Sequence, residues 1–109
     1  MTMSAPKLAL ILGLSLLALV AGAAETVVVE IKEYKFQPPT VTVKVGATVK
    51  WVNREKRTSH SVWFKDEGLP ESDRFFPEES WQRTFDKPGT YPYTCGPHPE
   101  MFGTVIVVE

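Results

Sequence analysis

The chain has 109 residues, 43% of them hydrophobic, with 12 Lys and Arg against 13 Asp and Glu for a formal net charge of −1. That length suits one domain, and so small a net charge gives neither nucleic acid nor an anionic membrane a field to bind. A single cysteine excludes an internal disulfide.

In chain order the first element is a leader. Lys7 precedes the apolar run 8–20, and Ala21-Gly22-Ala23-Ala24 follows; a charge, an apolar stretch and small residues in that order read as a secretory signal peptide over 1–24. The run is shorter than the ~20 apolar residues of a spanning helix. No cysteine lies near its end, which excludes a lipid on a mature N-terminal cysteine. The folded domain is then expected over 25–109, in the periplasm. In an oxidising compartment its lone cysteine is a reactive thiol, an intermolecular bridge or a metal ligand.

The runs 26–31, 41–45, 48–53, 60–64, 80–85, 90–95 and 103–108 are short and rich in valine, threonine and aromatics. Turn residues separate them at Pro38-Pro39, Gly46, Gly68, Pro70, Pro77 and Pro88-Gly89. No helical period competes. The pattern predicts an all-β domain, an antiparallel Greek-key β-sandwich. Strand alternation puts His60, Val62 and Phe64 on one face, and Tyr91, Tyr93 and Cys95 on another. With those faces inward, His60 and Cys95 turn into the core at strand ends. Pro92 cannot donate to a ladder, so its strand is expected at a sheet edge or an irregularity.

The chemistry concentrates in Cys95-Gly96-Pro97-His98-Pro99-Glu100-Met101. Without the leader, Cys95 is the only cysteine, Met101 the only methionine, and His98 one of two histidines, the other being His60. Taken singly, each has an ordinary structural role, as a small buried apolar residue, a core filler or a surface residue. Together they gather every nitrogen- or sulfur-bearing ligand of the domain into one loop and one nearby strand end. A thiolate and two imidazoles make the trigonal His₂Cys set of an electron-transfer copper site, with the thioether of Met101 at the weak axial position. Structural zinc prefers four strong donors and usually more than one cysteine, so one copper ion is the expected cofactor.

On these residues the sequence resembles the cupredoxins, the type 1 blue copper family, and within it the amicyanin- and plastocyanin-like members. The resemblance covers 27–108, including Val41-Thr42-Val43-Lys44-Val45-Gly46, Val49-Lys50-Trp51-Val52-Asn53-Arg54-Glu55 and the short Cys-x-x-His-x-x-Met loop. It implies His60, Cys95, His98 and Met101 as copper ligands, and an eight-stranded sandwich whose extra strand falls within 65–79. Two positions depart from the family pattern. Ser61 stands where members commonly carry the asparagine that ties the ligand loops together, and Glu100 stands beside His98 where amicyanin-like members carry an apolar residue.

The function expected is that of a monomeric periplasmic one-electron carrier shuttling between Cu(I) and Cu(II). Its partners would be transient redox proteins such as a c-type cytochrome or a dehydrogenase. The acidic stretch 65–79, with Glu100, suggests that such a partner is basic. A copper-tolerance protein would use the same four ligands, but a sequestering chain would be expected to carry surplus Met or His, and this one has none. No catalytic constellation is apparent, so an enzyme is not expected. Trp51, Trp63 and Trp81 are assigned to the core or its cover.

Overall fold

The computed structural model describes residues 24–109. The leader expected over 1–24 lies outside the described residues, Ala24 excepted. Seven strands form two sheets: β1 (Thr26–Lys32), β2 (Lys35–Gln37), β3 (Thr40–Lys44), β4 (Thr48–Asn53), β5 (Ser80–Thr84), β6 (Gly89–Thr94) and β7 (Phe102–Val108). One sheet runs β2-β1-β4-β5 and the other β3-β7-β6.

The alternating valines set which face is buried. Val29 and Ile31 of β1, Val49 and Trp51 of β4, Val41 and Val43 of β3, and Val105 and Val107 of β7 all point into the core, because side chains two apart share a face. Register aligns them, Val29 with Trp51 and Val41 with Val105. Between the sheets lie the aromatic rings. Trp51 is fully buried, with ring centroids 6.0 Å from Phe64, 5.6 Å from Trp81 and 5.2 Å from Tyr93. The β3–β4 turn needs a left-handed residue, supplied by Gly46 at φ 95°.

Three details differ from the sequence expectation. The sheets are mixed rather than antiparallel throughout, since β1 pairs with β4, and β3 with β7, in parallel. Residues 60–64 do not form a strand; they make isolated bridges, His60 to Phe75 and Trp63 to Thr94. The segment 65–79 supplies a 3₁₀ turn at Lys65–Glu67 instead of an eighth strand. The additional strand that does exist is β2. Pro92 lies where it was expected, in β6 at the edge of its sheet.

Candidate metal centre

His60 is held by backbone bonds rather than by a ladder. Its N–H donates to the Phe75 carbonyl at 3.1 Å, and its carbonyl accepts from the Phe75 N–H at 2.9 Å. Two residues on, the Val62 carbonyl accepts from Ser72 N–H (3.0 Å), and Val62 N–H donates to Ser72 Oγ (2.9 Å). Asn53, at the end of β4 and fully buried, organises the connection. Its Nδ2 donates to the carbonyls of Thr58 and Phe75, and its Oδ1 accepts from Glu55 N–H. Cys95 follows β6 directly, and the loop after it closes on itself. Cys95 N–H donates to the Met101 carbonyl (3.1 Å) and Met101 N–H to the His98 carbonyl (2.9 Å).

These two supports bring together three of the four residues singled out from the sequence. Nδ1 of His60 and Nδ1 of His98 each lie 3.6 Å from Cys95 Sγ, and the ligand atoms of the three residues are all within 4.8 Å of one another. His60 and Cys95 are fully buried, while His98 is half-buried. Met101 is buried at the far end of the same loop.

Burial favours the neutral form of both buried donors, which suits an imidazole ligand and means that a metal must displace the proton of the thiol. Burial pushes the Cys95 thiol above its ordinary value, against the pull of the Ser61 N–H, which donates to Sγ at 3.4 Å. Burial also pushes the His60 imidazole down, although Glu55 opposes it. Glu55 Oε2 lies 3.1 Å from His60 Nε2. A carboxylate there accepts a hydrogen bond from Nε2–H and leaves the Nδ1 lone pair facing the sulfur, the way a carboxylate orients a metal-binding histidine. A triangle of this size accommodates one first-row ion at bond lengths of about 2.0–2.3 Å. The donor set, one thiolate and two imidazoles with a thioether in the same loop, fits copper.

Ser61 ties the two ligand segments together despite being smaller than the amide it replaces. Its hydroxyl donates to Glu71 Oε2 at 2.6 Å and accepts from Gly96 N–H at 2.9 Å. Arg74 Nε completes the link to Glu71 Oε2 at 3.0 Å. The Ser61 hydroxyl, followed by Arg74, holds the Glu71 carboxyl below the usual carboxylate range. A Cβ at position 96 would collide with the end of the Glu71 side chain, so a larger residue there would displace that carboxylate from Ser61. Glu55, Asn53 and Glu71 were not anticipated as site residues. Glu55, five positions before His60, carried a signal only in that spacing, and the Glu71 contact carried none.

Comparison with known proteins agrees with this geometry. The sequence family described as copper binding proteins, plastocyanin/azurin family, matches residues 23–108. Amicyanin of Paracoccus versutus is 44% identical over 89 residues, 77% of this chain; the chain spans 66% of that protein's length, just under two thirds. Amicyanin-alpha of Methylorubrum extorquens is 40% identical over 102 residues, which cover 83% of this chain and 85% of that one. A solved structure of an amicyanin variant in its reduced Cu(I) form superposes with a TM-score of 0.71 at 38% identity, covering 80% of this chain and 87% of that chain. With most of its length matched by the family and its His-Cys-His cluster folded into one buried corner, the chain belongs to the plastocyanin/azurin family of copper-binding proteins, the cupredoxins.

Proposed function

We propose that this chain is a type 1 copper protein that carries single electrons, with His60, Cys95, His98 and Met101 as ligands to one copper ion. The observation that carries the reading is the pair of imidazole Nδ1 atoms, each 3.6 Å from one buried sulfur. When bound, copper supplies one-electron exchange between Cu(I) and Cu(II). The chain's own residues fix the donors in place: Glu55 orients His60, the Ser61 N–H steadies the sulfur, and the closed loop 95–101 holds His98 and Met101. Fixed donors limit the rearrangement that accompanies a change of charge. Three strong donors and one weak thioether disfavour structural zinc, which takes four strong ones.

The leader reading supports a periplasmic location and a domain over 25–109. Partners are transient redox proteins such as a c-type cytochrome or a dehydrogenase, met by a monomer. Their charge preference is weaker than the sequence alone suggests, because much of the acidic stretch is engaged internally. Glu67 pairs with Arg83, Glu71 with Arg74 and Glu78 with Arg54, while Glu79 accepts from Phe76 N–H. Glu100 is exposed beside the half-buried His98 and remains the acidic group best placed to meet a basic partner. Copper tolerance is the second reading, and the absence of further Met and His in 25–109 disfavours it.

The test is titration of the purified domain with Cu(II), followed by voltammetry. One equivalent should give an intense visible sulfur-to-copper band and a reversible one-electron wave. Binding without either would overturn the carrier reading. Met101→Gln should keep copper bound while lowering the reduction potential, because an oxygen donor stabilises Cu(II) better than sulfur does. Loss of copper in that variant would show Met101 to be an anchor.

A further inference from the structure

The tip of the β1–β2 hairpin is strained, and it sits on the ligands. Lys32 pairs with Lys35, so Glu33 and Tyr34 form a two-residue turn, and both have φ 56°. Two-residue hairpin turns with positive φ at both central positions favour Asn-Gly or Asp-Gly. A bulky side chain in the left-handed region is an outlier. Such an outlier persists where the surroundings over-determine it, and it points to function.

What surrounds Tyr34 is the metal centre. Its ring stands edge-on to both imidazoles, with centroids 4.9 Å from His98 and 5.7 Å from His60 and an interplanar angle of 82° in each case. Its backbone N–H donates to Glu55 Oε2 at 2.9 Å, the same oxygen that lies 3.1 Å from His60 Nε2. Its hydroxyl meets Thr58 Oγ1 at 2.9 Å, on the loop that carries Glu55 to His60. The residue is nonetheless 46% exposed, so burial does not by itself account for the strained placement.

We propose that Tyr34 is a positioning residue for the metal centre. It braces His60 through Glu55 and both imidazoles through its ring, and it shields them from competing ligands in solvent. The inference rests on the copper reading above. Its test compares Tyr34→Gly, which relaxes the turn and removes the ring while keeping the backbone N–H that meets Glu55, with Tyr34→Phe, which keeps the ring and loses only the Thr58 contact.

In the Gly variant the metal-free domain should unfold at the same or higher denaturant concentration than wild type. Its copper should nevertheless pass to an excess of chelator about tenfold faster or more, the scale of losing a group that orients ligands. Its visible and electron paramagnetic resonance spectra should shift. The Phe variant should release copper within about twofold of wild type, since the ring does most of the bracing. Wild-type spectra and release rates in the Gly variant would overturn the proposal. So would a parallel loss of metal-free stability and copper retention, which would assign Tyr34 to the fold alone. A wild-type protein that showed no band with Cu(II) would instead overturn the copper reading, so the two failures are distinguishable.

Discussion

Trp51→Ala is expected to destabilise the metal-free domain by about 3–5 kcal/mol, the range for emptying a buried aromatic site. Trp51 is fully buried between the sheets and touches rings from three directions, Phe64, Trp81 and Tyr93. A domain of this size has roughly 4–13 kcal/mol in total, at 0.05–0.15 kcal/mol per residue. The variant should therefore lose well over 10 °C in Tm, at about 4–8 °C per kcal/mol, and sit near the limit of folding. Trp51→Phe should cost far less. The indole N–H is buried without a hydrogen-bond partner among the described residues, so removing it sheds an unsatisfied polar group while a ring still fills most of the space. Denaturant unfolding of both variants checks this, and an alanine variant within about 1 kcal/mol of wild type would show that the rings around position 51 close the gap.

The second large effect is on the metal. Cys95→Ser should abolish the visible band entirely and lower copper affinity by more than about 100-fold, beyond the 10–100-fold typical of groups that only support ligands. Sγ is the atom that both imidazole nitrogens approach, and a serine hydroxyl keeps its proton where a metal-bound thiol loses it. The fold should survive, because the new oxygen occupies nearly the same space and can accept the Ser61 N–H that now meets Sγ. Circular dichroism together with the absorption spectrum separates the two effects. A band that persisted in the serine variant would refute the assignment of Cys95.

What could be read from the sequence was whatever side-chain alternation and unusual composition encode. Six of the seven strands stand within a residue or two of their predicted limits, because valine and threonine at alternate positions mark a half-buried strand wherever it pairs. The same alternation is silent about direction, so the parallel pairing of β1 with β4 and of β3 with β7 could not be told from an antiparallel one. Strand β2 escaped because it has only three residues, runs into Pro38-Pro39, and follows a turn without glycine or asparagine. Residues 60–64 alternate like a strand, yet their backbone partners are scattered over Ser72, Phe75 and Thr94, and no local pattern reports that. The candidate ligands were legible because thiol, imidazole and thioether are rare in this chain. Their supports were not, since Glu55 and Glu71 are two among many surface glutamates, and Tyr34 reaches Glu55, His60 and His98 across more than twenty positions of sequence.

The backbone bracket around His60 has a consequence for how the protein matures. Hydrogen bonds to Phe75, together with those that flanking residues make to Ser72 and Thr94, fix the backbone of that ligand largely through the main chain. The valine and aromatic core draws most of its residues from strands that carry no ligand. A small zinc domain, by contrast, gathers its ligands only as the metal arrives, so its folding and its metal uptake are one event. Here they are two. The chain can complete its fold first and acquire copper afterwards, from whatever donor it meets, and a shortage of the metal would leave a population of intact, colourless protein ready to be charged.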